Sequence, residues 1–426
     1  MESSNHEDPS RSERDAANTD TVVQNLPMPG ISYFHPIQQP PPGTFLSMSD
    51  DSQARPILFT PIQIRDVTFQ NRIWVSPMCQ YSSSDGLLTD WHVTQLGSYA
   101  CRGASLVVVE AAGVLPEGRT TPEDAGIWKD EQIPSFRRVV EMIHSQGQKA
   151  GAQLAHAGRK GSMLAPWLGL GLASKEANGF LEDVVAPSAI AYDADHPVPR
   201  AMTVEDIEIC VQAFADAARR AVVAGFDVID IHAAHGYLIH TFLSPVSNHR
   251  TDIYGGSFQN RIRFAIDIVK AVRAAIPEGM PLFFRCSATD SLEEGRGWEI
   301  HDTVKLAKIL KGCGVDLIDV TGSGKTQKYT CVDDLLANSY QAPLAADIRS
   351  QVPELLVSSV GILQQSVVAE RVLRDGSADA IFIGREFSRN PSYVLTVANE
   401  LGVKVKWPIQ LHRAEPSYRS RRLLSL

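Results

Sequence analysis

The chain has 426 residues, of which 44% are hydrophobic and 21% charged, with a net charge of -9 and a pI near 5.8. The acidic balance, without a basic cluster, argues against a nucleic-acid partner and points to small molecules. No apolar run is long enough to span a bilayer, and 1–8 lack the basic start and apolar core of a secretion signal, so neither a membrane nor export is expected.

The six cysteines (Cys79, Cys101, Cys210, Cys286, Cys313, Cys331) contain no Cys-x-x-Cys pair. Neither a disulfide framework nor a metal site is expected, and the setting is read as reducing and cytoplasmic.

Residues 1–55 are polar and turn-rich, with Pro40, Pro41, Pro42 and Gly43 in sequence. Such a stretch buries too little apolar surface to offset its chain entropy, which predicts a disordered tail. The folded part is expected over 56–413, with a short tail at 414–426. It alternates apolar runs at 73–77, 106–110, 148–154, 228–231, 282–286, 317–320, 355–358 and 380–383 with amphipathic stretches, among them 133–146, 203–224, 258–275, 302–310 and 364–374. Thr203 with Asp206 three residues on reads as a helix start, and Gly225 as its end. Eight strand-helix units in about 350 residues predict an α/β fold, a (β/α)8 TIM barrel.

The active site of such a barrel lies beyond the carboxyl ends of the strands, so polar residues there carry the functional argument. After the first run come Ser76, Pro77, Met78, Cys79 and Tyr81. Backbone groups here can edge a flat ligand, with Cys79 a soft contact and Tyr81 a hydrogen-bonding wall; a buried structural Cys79 is the competing reading. Ala111 and its small neighbours follow the second run. Gln153 closes the third, placed to pair either with a ligand amide or with a structural partner, since an unpaired buried amide costs about 1–3 kcal/mol.

The fourth run delivers His232, His235 and Tyr237 within six residues. Together they can polarise and protonate a small molecule; the alternatives are satisfied loop residues and, more weakly, a metal pair lacking the intervening Glu of a zinc motif. Arg285 in the fifth run must meet a ligand anion or a structural counter-ion, and the ligand is favoured. Gly361, Gly384 and Arg385 follow the seventh and eighth runs, where barrels often bind phosphate.

Taken together, Asn71-Arg-Ile-Trp-Val-Ser-Pro-Met-Cys-Gln-Tyr81, 153–160, 232–237, 247–257 and 383–386 resemble the old yellow enzyme family of flavin-dependent ene-reductases, in its xenobiotic-reductase-like branch. The similarity covers 58–413. It implies FMN at the barrel mouth, with Ser76, Pro77, Met78, Cys79, Ala111, Gln153 and Arg285 around the isoalloxazine and Gly361, Gly384 and Arg385 at the phosphate. It further implies NADPH or NADH as reductant, His232 and His235 gripping the carbonyl of an α,β-unsaturated substrate, Tyr81 touching that substrate and Tyr237 supplying a proton.

Arg413 stands where relatives send an arginine into a neighbouring subunit, which implies a homodimer or homotetramer. The 322–338 stretch lacks the Gly/Pro-rich pattern expected there, and 168–179 enlarges the third loop. Two rival readings remain: a flavin-binding barrel without turnover, and a phosphosugar isomerase or aldolase on the same fold.

Overall fold

Short runs of valine, isoleucine, leucine and phenylalanine become strands when both faces can be covered, and here helices cover the outer face. A computed structural model describes residues 24–169, 171–322 and 341–415. Its barrel strands are β1 (Ile73–Val75), β2 (Leu106–Gly113), β3 (Lys149–Ala155), β4 (Val228–Ala233), β5 (Leu282–Ser287), β6 (Leu317–Thr321), β7 (Leu356–Val360) and β8 (Ala380–Ile383). Each pairs in parallel with its sequence neighbours, and Ile383 opposite Val75 joins β8 to β1 and closes the barrel.

Among the described residues the helices that cross back from the first seven strands are α1 (Asp90–Ala100), α2 (Ile133–Ser145), α3 (Val204–Ala224), α4 (Phe258–Ala275), α5 (Ile300–Gly312), α6 (Ala342–Gln351) and α7 (Ser366–Arg374), with a further short helix, Leu238–Leu243, between β4 and α4. The expected TIM barrel is therefore present. α3 starts and stops where the sequence predicts. Thr203 Oγ1 accepts from Asp206 N–H at 3.1 Å, and Asp206 accepts from Thr203 N–H at 2.7 Å. Such a cap stabilises a helix by about 1 kcal/mol, and Gly225, at φ +100°, turns the chain out. Ile207, Cys210, Phe214, Ala217 and Ala221 form its buried stripe.

The amino-terminal end of the barrel is plugged. A hairpin of Ile62–Ile64 and Val67–Phe69 packs Ile62, Ile64 and Phe69 against Trp74, Phe283, Leu317 and Phe382 from the strands. Trp74 is the centre of this floor, 5.0 Å from Phe69, 5.8 Å from Phe283 and 5.4 Å from Phe382 between ring centroids. With that end filled, a ligand has the carboxyl end to itself.

The chain divides into two compact units, Met1–Ile37 and Gln38–Leu426. In the first, Met28 N–H donates to His35 C=O at 2.7 Å and Ile37 N–H to Leu26 C=O at 2.9 Å. The second corrects the expectation of disorder through residue 55, because Phe45–Met48 pairs antiparallel with Val403–Val405. That partner lies more than 350 residues away, and its backbone hydrogen bonds supply what the turn-rich local sequence cannot. Residues 1–23, most of the 322–338 stretch and the end of the 414–426 tail lie outside the described residues. Among those described, no helix is long and apolar enough to cross a membrane.

Candidate active site

Cross-strand register places a layer of polar residues inside the barrel above the aromatic floor. Gln153 stands opposite Asp230, Arg285 opposite Asp319, and Asp319 opposite Ser358. Gln153 Nε2 donates to Asp230 Oδ2 at 2.7 Å, Ser358 Oγ donates to Asp319 Oδ1 at 2.9 Å, and Arg285 Nη1 donates to Ser76 Oγ at 3.0 Å. Arg285 Nε lies 3.1 Å from Asp319 Oδ2. Arg285 therefore makes the structural ion pair that the sequence reading placed second to a ligand.

Burying these charges costs several kcal/mol per ion unless they are paired and hydrogen-bonded. The compensation within the chain is partial. Arg285 Nε and Asp319 Oδ2 are close without hydrogen-bond alignment, and Asp230 Oδ1 and Ser359 Oγ have no partner. Burial, then the neighbouring Asp319, pushes the Asp230 carboxyl up to about 7. Burial outweighs Arg285 at Asp319 and raises that carboxyl as well.

At the end of β4 the chain turns through His235 at φ +61° and Gly236 at φ +75°. A histidine in this left-handed region is strained, and four contacts hold it. His235 N–H donates to Ser287 Oγ at 2.9 Å, Lys160 Nζ donates to His235 C=O at 3.0 Å, and Gly236 N–H donates to His240 Nδ1 at 2.8 Å. His240 Nε2 in turn faces Asp290 at 3.1 Å.

The turn brings the three candidate groups together. The His232 ring centroid is 5.2 Å from His235 and 4.7 Å from Tyr237. His232 Nδ1 is buried without a partner, while His235 Nε2 meets Thr321 Oγ1 at 3.1 Å. Burial, then the neighbouring His235 and Arg285, hold His232 well below its ordinary value; burial, then Arg285 and Lys160, do the same to His235. Both imidazoles are thus neutral near neutral pH and carry one N–H each to donate. Burial, then Cys79, pushes the Tyr237 phenol well above its ordinary value, so it keeps its proton.

Facing them is the segment after β1. Tyr81, itself at φ +49°, meets the exposed Trp167 edge-on at 5.6 Å. Cys79 receives the Ala111 N–H, and burial followed by the nearby Asp124 and Glu110 raises its thiol well above the ordinary range. Ala111 sits at a register slip between Val109 and Ala112, a bulge that turns this strand end toward Cys79. Glu110 caps the opposite segment by accepting from Gln80 N–H at 2.7 Å.

Beyond β7 and β8, Gly361, Gly384, Arg385 and Met78 line a cavity of about 410 Å³. Gly361 adopts φ +107°, a backbone conformation in which any side chain is strained, and its nearest neighbour is the end of the Gln341 side chain. Arg413 is not part of this cluster in the single chain; it lies in the exposed turn Ile409–Ala414. Among the described residues no group of three or more His, Cys, Asp or Glu could hold a metal ion.

The arrangement fits FMN. The orphaned Asp230 Oδ1 and Arg285 Nε beside Gln153 match a ring edge that presents both donors and acceptors, and a cavity bordered by Gly361, Gly384 and the Arg385 guanidinium suits a phosphate.

Sequence reasoning missed Thr120, whose Oγ1 lies 2.9 Å from Tyr237 Oη, and Asp124, which holds Thr120. It also missed Asp230, Asp319, His240 and Asp290. Asp230 and Asp319 carried the same signal as Arg285, a charge within an apolar strand.

Over residues 57–403 the chain matches the model of the NADH:flavin oxidoreductase / NADH oxidase family. It is 47% identical over 401 residues to an NADH:flavin oxidoreductase of Gibberella zeae, covering 92% of this chain and 95% of that protein. It is 45% identical over 358 residues to an NADPH dehydrogenase of Bacillus subtilis, covering 84% and 98%. The structure of morphinone reductase in complex with tetrahydroNAD superposes with a TM-score of 0.67 at 26% identity, covering 85% and 94%.

Proposed function

Since the chain belongs to the NADH:flavin oxidoreductase / NADH oxidase family, the old yellow enzymes, and is an FMN-dependent NAD(P)H oxidoreductase, we propose that it reduces activated alkenes, with Tyr237 as the proton donor. The observation that carries this reading is the convergence of two neutral imidazoles and a protonated phenol, His232, His235 and Tyr237, in one turn above the polar layer.

Bound FMN supplies hydride carriage, from NAD(P)H to the β-carbon of an α,β-unsaturated carbonyl compound. The chain's own groups do the rest. Ser76, Pro77, Met78, Ala111, Gln153 and Arg285 would hold the isoalloxazine, with Cys79 beside it, and Gly361, Gly384 and Arg385 the phosphate. The N–H groups of His232 and His235 would donate to the substrate carbonyl oxygen, where negative charge grows as hydride reaches the β-carbon. Such a preorganised donor contributes about 3–4 kcal/mol to a transition state. Tyr237 then gives its proton to the α-carbon, and Tyr81 with Trp167 flanks the substrate.

Relatives are named for both NADH and NADPH, and NADPH or NADH is the reductant in this reading. Arg413, exposed in this chain, would complete the site of a second subunit in a dimer or tetramer.

The test separates the half-reactions. Tyr237→Phe should leave FMN reduction by NADPH near the wild-type rate and slow reoxidation by cyclohexenone about 10²-fold or more, the usual contribution of a general acid. Equal reoxidation rates in the variant and the wild type would remove Tyr237 from the reaction.

A further inference from the structure

We propose that Thr120 is the positioning residue for Tyr237, orienting its phenol toward the substrate and passing a solvent proton back to it after each turnover. This rests on the reading of Tyr237 as the proton donor.

Thr120 lies in the loop after β2, 117 residues from Tyr237 in sequence. Its hydroxyl is fixed in place from both sides of its backbone. Thr120 N–H donates to Asp124 Oδ2 at 2.7 Å, and its C=O accepts from Met163 N–H at 2.8 Å. Asp124 is itself anchored, accepting from Thr121 N–H at 3.2 Å and from Thr121 Oγ1 at 3.0 Å. The 2.9 Å contact between Thr120 Oγ1 and Tyr237 Oη is therefore a built feature and not a chance meeting of two mobile side chains.

The direction of that bond follows from counting protons. Tyr237 has one hydroxyl proton, and if it is given to Thr120 it is not aimed at substrate. With Thr120 as donor, its O–H points to Tyr237 Oη and the phenol proton is free for the α-carbon. Proton transfer leaves a phenolate in a buried setting with Cys79 and Asp124 nearby, all of which disfavour the anion. The Thr120 donor then faces a full negative charge, where a hydrogen bond is worth about twice a neutral one. Lys160, with Nζ 5.8 Å from the Tyr237 ring centroid, adds attraction from another side.

Thr120 and Tyr237 are both half-buried, and the proposed route brings the solvent proton in through Thr120. Recovery delivers one proton by two transfers: the Thr120 hydroxyl proton passes to the phenolate oxygen while a water donates a proton to Thr120 Oγ1, and hydroxide is left in solvent. No electrons are transferred and no further reactant is needed.

The experiment is stopped-flow reoxidation of the NADPH-reduced holoenzyme by cyclohexenone. Thr120→Val keeps the shape and removes the hydroxyl, and should slow reoxidation about 10- to 100-fold, the range for a hydrogen bond to a charged group. FMN content and reduction by NADPH should stay unchanged, and Thr120→Ser should restore the rate to within about 3-fold, since it keeps the donor. In a Tyr237→Phe background Thr120→Val should add no further loss, because the two groups act as one. Wild-type reoxidation in Thr120→Val beside a slowed Tyr237→Phe would overturn the role of Thr120 alone. Unchanged reoxidation in Tyr237→Phe would overturn the proton-donor reading and this one with it. If Thr120→Val fails to hold FMN, the Ser variant decides together with Thr120→Ala: equal rates in these two overturn the proposal, and a faster Ser variant supports it.

Discussion

Replacing Asp230 by asparagine should change how stability depends on pH, and the size of the change follows from the barrel interior. Asp230 is 2% exposed, and its carboxyl is raised from 3.8 to about 7 by burial and by Asp319. Below pH 3.8 the group is protonated in both the folded and unfolded chain and costs nothing. Between 3.8 and about 7 the unfolded chain has released the proton while the folded one still holds it, so stability falls as pH rises. Above about 7 the penalty is constant. At about 1.4 kcal/mol per pKa unit, the wild type loses about 4 kcal/mol across this window.

Asparagine keeps a carbonyl oxygen for Gln153 Nε2 and does not titrate. The stability of Asp230→Asn minus that of the wild type should therefore grow by about 4 kcal/mol from pH 4 to pH 8. Urea unfolding followed by tryptophan fluorescence, with FMN saturating for both proteins, measures it at each pH. Parallel curves for the two proteins would show that Asp230 titrates normally in the fold and would refute the account of the polar layer as an incompletely compensated cluster.

Other consequences are simpler to read. Trp74→Ala removes the centre of the barrel floor and should cost about 3–5 kcal/mol in denaturant unfolding; a loss under about 1 kcal/mol would mean the plug is not packed as described. Gly361→Ala puts a Cβ on backbone at φ +107°, and a strain of about 1–3 kcal/mol predicts weaker FMN binding by about 10-fold or more, read by flavin fluorescence. Because His232 and His235 are both held well below 6.5, kcat/KM for an enone should show no limb from these groups between roughly pH 6 and 8. An acid limb near 6.5 that disappears in His232→Asn or His235→Asn would contradict their neutral state.

Much of the fold was legible because its signals are local. All eight strands announce themselves as apolar runs, and α3 carries both its cap at Thr203 and its stop at Gly225. Phe45–Met48 was not legible, since a turn-rich neighbourhood hides a strand whose partner is the distant Val403–Val405. α1 and α6 were not among the stretches singled out; α1 carries the exposed Trp91 on its surface.

The site was legible at its strand ends, where chemistry-bearing residues cluster in sequence. Its supports were not. Thr120 reaches Tyr237, and His240 with Asp290 braces the His235 turn, across sequence gaps that no periodicity spans. Asp230 and Asp319 were within reach of the desolvation argument. Asking which residue neutralises Arg285 leads to the acid on the adjacent strand, Asp319.

The central claim is that hydride from NADPH leaves this site for an activated alkene. Anaerobic titration of the purified holoenzyme tests it in one cuvette. Flavin absorbance near about 450 nm should bleach on addition of NADPH and return in full with one equivalent of cyclohexenone, with cyclohexanone as the product. Bleaching that cyclohexenone and other enones leave unchanged, while oxygen restores the colour, would contradict alkene reduction and leave an NADPH oxidase.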